Sequence, residues 1–164
     1  MRTTGMKRVL AGAAIAALAM NASAAHAASA TATAKAKILA PLTIANNSDL
    51  DFATIVSGTA ASTVTVTPAG GSTCGSGLTC IGTVSAAGFT LGGTSGAAVG
   101  ISGPATVTLT SGSNNMTASL AYSATSVTLG ATGGTFSVGG TLNVGANQAA
   151  GNYSGTFNVT ANYQ

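Results

Sequence analysis

Apolar and polar residues alternate along most of this chain with a period of two, the pattern of strands that have one buried face and one wet face. The alternation is clearest at 63–67, 106–110, 116–122 and 126–129, where valine, leucine or methionine face one way and threonine or serine the other. Threonine is β-branched and favours strands. Glycine-rich segments separate the alternating stretches. Many short strands joined by such turns predict an all-β chain folded as an antiparallel β-sandwich.

The end of the chain alternates without a break from Asn152 to Gln164. At roughly 3.3 Å per residue this predicts one long strand of about 40 Å. A slip of one residue would turn its apolar face to water, so the pattern specifies the pairing strongly. That face carries Tyr153, Gly155, Phe157, Val159, Ala161 and Tyr163.

A glycine pair separates two further alternating runs. Phe136–Val138 precedes Gly139 and Gly140, and Leu142–Val144 follows them. Two glycines between alternating runs are typical of a two-residue hairpin turn. We therefore expect a tight turn at 139–140.

The segment after residue 27 also alternates, with alanine at most of its apolar positions. Pro41 cannot donate a ladder hydrogen bond, so we expect an edge strand or a break at that point. Alanine buries little area, so the first half of this strand, within an N-terminal extension at 28–40, is weakly held. Lys35, Lys37 and threonines face one way, and the apolar face carries Ala30, Ala32, Ala34, Ala36, Ile38, Ala40, Leu42 and Ile44.

The first 27 residues have the features of a secretory signal peptide. They begin with Arg2, Lys7 and Arg8, continue with an apolar run at 9–20, and end in Ala25-His26-Ala27. The apolar run is shorter than the roughly 20 residues that a membrane span needs. The pattern predicts a helical leader that is removed on export.

We expect cleavage after Ala27, and Ala24 and Ala30 satisfy the same small-residue rule. Cleavage there leaves a single domain at 28–164, which has the usual size of one domain. The protein is then expected in the periplasm, on the cell surface or outside a bacterial cell, with no transmembrane segment in the mature chain.

Removal of the leader changes the charge balance. Three of the five basic residues lie in it, and the rest of the chain holds only Lys35 and Lys37 against Asp49 and Asp51. The formal charge of +3 therefore belongs to the leader, and it is no indication of a nucleic-acid partner.

Few side chains remain that could do chemistry. Beyond the leader there is no His, Arg, Glu or Trp. A Ser-His-Asp triad or a four-ligand zinc site cannot be built from what is left. We therefore expect a non-catalytic protein with no cofactor and no metal site. Asp49 and Asp51 share one strand face and are interpreted as a solvated turn entering a strand, with a weak Ca²⁺ or sugar contact as the alternative.

Cys74 and Cys80 enclose a short glycine-rich loop. In an exported chain, such a pair predicts a structural disulfide. The spacing is not C-x-x-C and no basic residue adjoins either thiol, so a redox role is not expected.

A membrane β-barrel is the competing fold, since its strands also alternate. A barrel needs a bulky lipid-facing band and aromatic girdles, whereas aromatic residues make up 4% of this chain and its apolar faces are largely alanine and valine. We therefore favour the sandwich.

Three segments, Leu50–Ile55, Phe136–Val144 and Gly151–Thr160, resemble the bacterial exported family called domain of unknown function 4402. The likeness covers nearly all of the chain beyond the leader, and its C-terminal part is the most specific. Ala53 stands where that family more often has Gly. The family name implies no activity.

A wider likeness is to spore coat U domains and chaperone–usher fimbrial subunits. Gly151 and the penultimate Tyr163 occupy positions typical of the last strand of such subunits. The resemblance implies a pilin-like, incomplete immunoglobulin-like sandwich that a strand from a neighbouring subunit completes. The short spacing of Cys74 and Cys80 departs from the fimbrial pattern, whose disulfide joins distant residues.

The same resemblance implies two assembly elements. The donor segment would contain Ala30, Ala32, Ala34, Ala36 and Ile38, although donor segments usually carry larger apolar residues. The assembly strand would contain Gly151, Tyr153, Gly155, Phe157, Val159 and Tyr163. Its alternative interpretation is a core strand of an ordinary, complete sandwich.

The expected function is that of an exported structural protein of the cell surface, a fimbrial or coat component assembled through added strands. Its expected partners are further copies of itself or a periplasmic chaperone. The alternative is a free-standing secreted binding or adhesion module, in which Tyr122, Tyr153 and Tyr163 would stack on glycans.

Overall fold

The computed structural model describes residues 27–164, so the predicted leader lies almost entirely outside the described residues. The chain divides into a segment that ends at Ala36 and a unit at Lys37–Gln164. Residues 27–36 are exposed and have no regular secondary structure. In the unit that starts at Lys37, all of the regular secondary structure is β-strand.

Short alternating segments rich in threonine and valine form strands, as their β-branched side chains favour. The strands of the described range are β1 (Thr43–Ser48), β2 (Thr54–Val56), β3 (Ser62–Val66), β4 (Ser72–Cys74), β5 (Thr79–Ile81), β6 (Ala87–Gly92), β7 (Ala98–Ser102), β8 (Thr106–Ser111), β9 (Asn114–Tyr122), β10 (Ser126–Thr128), β11 (Gly134–Val144) and β12 (Thr160–Tyr163).

β11 is the central strand of the largest sheet. One of its edges pairs β6 over 134–138 and β3 over 140–144. Its other edge pairs β9 over 138–142, and β8 follows β9. β1 and β4 end the sheet beyond β6 and β3.

Two smaller sheets complete the fold. One has the strand order β10-β7-β12, and the other pairs β2 with β5. All of the strand pairs are antiparallel. The prediction of an all-β antiparallel sandwich is confirmed.

The apolar faces of the sheets form two buried clusters, and β11 contributes to both. Within the first, the rings of Phe89 and Phe136 stack with centroids 4.9 Å apart. The first core cluster contains Ala87, Phe89, Leu91, Val99, Ile101, Leu129, Phe136 and Val138. The second core cluster contains Phe52, Val64, Val66, Val107, Ala118, Leu142 and Val144.

The predicted hairpin at Gly139 and Gly140 is wrong, because β11 runs straight through both glycines. Both are buried between neighbouring strands. A Cβ atom on Gly139 would lie 2.3 Å from the carbonyl oxygen of Val66, so the site requires a residue without a side chain. The glycine pair allows close backbone approach rather than a turn.

The predicted continuous strand from Asn152 to Gln164 is correct only at its end. β12 pairs β7 over Thr160–Tyr163, whereas Ser154 forms an isolated bridge with Thr110. Between them, Gly155 passes so close to Thr108 that a Cβ there would lie 2.2 Å from the Thr108 carbonyl oxygen. That contact takes the place of a regular ladder.

The predicted alternation of side chains in this segment is nevertheless present. Apolar residues at every second position are half-buried and pack against the first core cluster, and they are Phe157, Val159, Ala161 and Tyr163. The intervening residues Asn158, Thr160 and Asn162 are exposed. The period of two therefore predicts correctly which side chains face the core. It predicts the hydrogen-bonded pairing of the segment incorrectly.

The predicted N-terminal strand forms only in its last part. β1 begins at Thr43, two residues after Pro41, and the described residues before Thr43 carry no strand. Ile38 is 93% exposed. The small area of alanine and the missing donor of Pro41 account for the late start.

Candidate assembly surface

An open cleft of about 510 Å³ lies over the second core cluster. One wall is the segment 50–57 and the other is the segment 148–153. Between the walls, apolar side chains of β8, β9 and β11 line the cleft, and they are Leu109, Met116, Leu142 and Val144. The cleft therefore borders the second core cluster, whose members Phe52, Leu142 and Val144 remain buried beneath it.

The first wall continues the edge strand β1. Ser48 lies opposite Gly88, and Asp51 lies opposite Ser85 in the same register. The backbone groups of Asp51 and Ser85 exchange hydrogen bonds of 2.9 and 3.0 Å. The Ser85 hydroxyl also donates to the carbonyl oxygen of Asp49 at 2.7 Å. The chain at 49–51 thus extends the exposed edge of the largest sheet.

Side chains alternate strictly along this extension. Asp49 and Asp51 are exposed, whereas Leu50 is half-buried and Phe52 is buried in the second core cluster. The Oδ1 atom of Asp51 accepts a 2.8 Å hydrogen bond from the backbone N–H of Ala53, which has a φ of 57°. Both carboxylates therefore share one face, as predicted, but they lie on an extended edge that follows β1 rather than in a turn that enters a strand.

The second wall is organised by Gln148. Its Nε2 donates to the Tyr153 hydroxyl at 2.8 Å, and its Oε1 accepts from the N–H of Gly145 at 3.3 Å. Its backbone carbonyl accepts from the Ser57 hydroxyl at 3.1 Å, which joins the two walls at one end of the cleft. Tyr153 in turn donates to the carbonyl oxygen of Ala149 at 2.8 Å.

The predicted disulfide holds the first wall to the main sheet. Cys74 and Cys80 are bonded, with Cα atoms 6.1 Å apart. Cys74 ends β4, and Cys80 lies in β5 opposite Ile55 of β2. The bond therefore connects the edge of the largest sheet to the small sheet that forms part of the wall.

The residues predicted for the assembly strand divide between three places. Gly151 and Tyr153 line the cleft, and Phe157 and Val159 pack against the first core cluster. Tyr163 lies in β12, where its hydroxyl donates to Ala40. The predicted donor residues Ala30, Ala32, Ala34, Ala36 and Ile38 are all exposed.

Sequence reasoning did not single out Gln148 or Thr94. Thr94 donates its backbone N–H to the Tyr163 hydroxyl at 2.9 Å, and its Oγ1 accepts from the N–H of Ala40 at 2.7 Å. Thr94 contacts Tyr163 and Ala40, and the Gln148 carbonyl contacts Ser57; all of these partners are distant in the sequence, so no local pattern records the contacts. Gly93 makes room for the Tyr163 contact, because a Cβ there would lie 2.3 Å from the Tyr163 hydroxyl oxygen.

The ionisable groups at the surface are few. Within residues 27–164 there is no group of three or more His, Cys, Asp or Glu placed to hold a metal ion. Burial raises the pKa of the Tyr122 phenol above its usual value. The Tyr122 hydroxyl donates to the carbonyl oxygen of Pro104 at 2.9 Å. The exposed lining of the cleft is more polar than apolar, and among the described residues that line it Asp51 is the one ionised side chain at neutral pH.

Across the part of the chain that the structure describes, no helix is long and apolar enough to cross a membrane. The sequence model of the family described as "Domain of unknown function (DUF4402)" matches residues 42–163. No curated protein matches the chain. The family match begins just before β1, so the segment with the predicted donor residues precedes it.

Proposed function

The chain belongs to the DUF4402 family, and from that premise we propose that it is an exported, non-catalytic structural protein of the bacterial cell surface. It is a fimbria-like subunit or coat component that assembles by adding a strand of one copy to the sandwich of the next. The observation that carries this proposal is the open cleft over the second core cluster.

The cleft favours strand addition because of what borders it. Its first wall extends β1, the end strand of the largest sheet. A sheet edge with free peptide groups pairs readily with another extended chain. Main-chain hydrogen bonds then give affinity, and pockets for alternate side chains give specificity.

The N-terminal segment supplies a suitable extended chain. Its alternating sequence is that of a strand, yet residues 27–36 are exposed and unstructured in the described chain. The threonines opposite its alanines favour the extended conformation.

The tyrosines favour assembly over glycan binding. The hydroxyls of Tyr122, Tyr153 and Tyr163 each donate to a backbone carbonyl of the same chain. Each ring is half-buried. Rings held in this way offer less face for stacking on a sugar than exposed ones.

Sedimentation of the protein purified from a secreting host, across a range of concentrations, tests the proposal, with electron microscopy of the same samples. We expect concentration-dependent assembly. The variant A32P/A34P removes two backbone donors and should abolish assembly. The matched variant A32V/A34V keeps the donors, adds apolar area and should strengthen it. A wild-type protein that stays monomeric and stable at all concentrations would contradict the proposed function.

A further inference from the structure

The few charged side chains beyond the predicted leader form two matched pairs. Lys35 and Lys37 are two residues apart, and so are Asp49 and Asp51. All four are exposed. On a strand, residues at this spacing lie on the same face, about 7 Å apart. The chain thus carries a positive pair and a negative pair with the same geometry.

The negative pair lies on an edge that can accept a strand. The peptide groups of Asp51 point toward Ser85. Because peptide groups alternate in direction along an antiparallel strand, those of Leu50 point toward the opposite, open edge. The carboxylates of Asp49 and Asp51 lie on the solvent face of this edge. The side chain of Leu50, between them in the sequence, points to the other face and lines the cleft.

We propose that the segment with Lys35 and Lys37 from a second copy of this chain binds along the Asp49–Asp51 edge. Lys35 lies opposite Asp51, and Lys37 lies opposite Asp49. This inference rests on the proposed function and names the segment, the edge and the register that the assembly uses.

The register matches both faces of the added strand at once. With the lysines beside the aspartates on the solvent face, Ala34, Ala36 and Ile38 face the core side. There Ala36 lies opposite Leu50 and Ala34 opposite Phe52, and both Leu50 and Phe52 line the cleft. Ile38, which is 93% exposed in the isolated chain, lies opposite Ser48 on the same side of the strand. A shift of one residue would turn the lysines to the core side, away from the aspartates, so the charges fix the register.

The same pairing within one chain is excluded by β1. Within one chain, an antiparallel hairpin that brings Lys35 opposite Asp51 and Lys37 opposite Asp49 would have its turn centred on Thr43. Thr43 is instead the first residue of β1, where it pairs with Gly92. A parallel alignment in the same chain would need a crossover of about a dozen residues or more. Residues 38–48 leave no room for one, since β1 takes up six of them. The donor is therefore a second copy.

Zero-length cross-linking tests this contact. A carbodiimide joins a lysine directly to a carboxylate, and it is applied to an equal mixture of unlabelled and isotopically labelled protein. We expect peptide pairs that join Lys35 or Lys37 of one label to Asp49 or Asp51 of the other. Assembled protein that yields these links only within one label would overturn the proposal.

Charge reversal gives an independent test. Both K35E/K37E and D49K/D51K should self-associate at least about tenfold more weakly than the wild type. An equal mixture of the two variants should regain assembly, because every donor then meets an acceptor of opposite charge. Asp51 also accepts a hydrogen bond from the N–H of Ala53, which D49K/D51K removes. The single variant D49K leaves that hydrogen bond intact and serves as a second variant of the edge that receives the strand.

A change in net charge alone is controlled for by a matched pair. K35Q/K37Q and S113D/T132D alter the net charge by the same amount, and Ser113 and Thr132 lie in exposed turns. Only K35Q/K37Q should weaken assembly. If the wild type assembles and the charge variants assemble equally well, this inference fails while the proposed function stands. If the wild type does not assemble, the proposed function itself fails.

Discussion

The hydroxyl of Tyr163 donates a 2.9 Å hydrogen bond to the carbonyl oxygen of Ala40, which lies 123 residues earlier in the chain. Thr94 closes the contact, because its N–H donates to the same hydroxyl and its Oγ1 accepts from the N–H of Ala40. One side chain in the last strand thus holds the start of the folded unit and the turn after β6. The segment proposed as donor leaves the fold just before this contact.

Replacing Tyr163 with Phe should therefore loosen the start of the chain. The variant Y163F leaves the Ala40 carbonyl and the Thr94 N–H without this partner, and we expect the free energy of unfolding to fall by about 1–2 kcal/mol. Urea unfolding measures the loss. An unchanged unfolding midpoint would show that solvent replaces both hydrogen bonds at no cost.

Gly93 provides the matched test of the same contact. A Cβ on Gly93 would lie 2.3 Å from the Tyr163 hydroxyl oxygen and 2.9 Å from Cδ1 of Leu129. G93A should therefore displace the phenol and destabilise the fold, and part of that cost should disappear in the Y163F background. Additivity of G93A and Y163F within about 0.5 kcal/mol would contradict this coupling.

Gly139 should tolerate no side chain, because β11 passes close to the chain after β3. A Cβ there would lie 2.3 Å from the Val66 oxygen and 2.6 Å from the Pro68 nitrogen, and these backbone atoms cannot rotate away. We expect G139A to destabilise the protein by roughly 1–3 kcal/mol. G130A is the control, because its Cβ would come no closer than 3.4 Å to any atom. Equal unfolding midpoints for the two variants would disprove the packing argument.

The errors of sequence reasoning here share one physical cause. A period of two correctly places Phe157 and Val159 on the core side, because facing is a local property of an extended chain. It cannot tell whether their peptide groups find partners, which depends on the position of Thr108. A glycine pair such as Gly139 and Gly140 is compatible both with a hairpin turn and with a strand whose neighbours lie close. The close approach of the Val66 backbone, which is distant in the sequence, decides for the strand.

The cleft could be predicted only in part. The two aspartates, the cysteine pair and the alternation of the segment proposed as donor are local patterns and are readable from the sequence. The Gln148 contacts are not, since they join Gly145, Ser57 and Tyr153 through loops of unpredictable path. Loop geometry follows from tertiary packing rather than from local propensity.

The disulfide should stabilise the first wall and the whole fold. It closes a loop with a sequence separation of six, for which the chain-entropy model gives about 2 kcal/mol. C74S/C80S should lose about that amount in urea unfolding, and reductant should have the same effect on the wild type and none on the variant. Reductant sensitivity in the variant would point to a cause other than this bond.

The half-buried phenol of Tyr122 should make stability depend on pH at the alkaline end. Burial raises its pKa in the folded state above the ordinary 10.0, so the folded protein holds this proton more tightly than the unfolded chain does. Its contribution is complete below about pH 10 and is lost as the pH rises through the folded-state pKa. As the pH rises above about 10, the unfolding midpoint of the wild type should therefore fall more steeply than that of Y122F. Absorbance of the tyrosinate provides the second readout, since Y122F lacks the phenol whose pKa burial raises. Parallel pH profiles for the two proteins would show that this phenol is fully solvated in the fold.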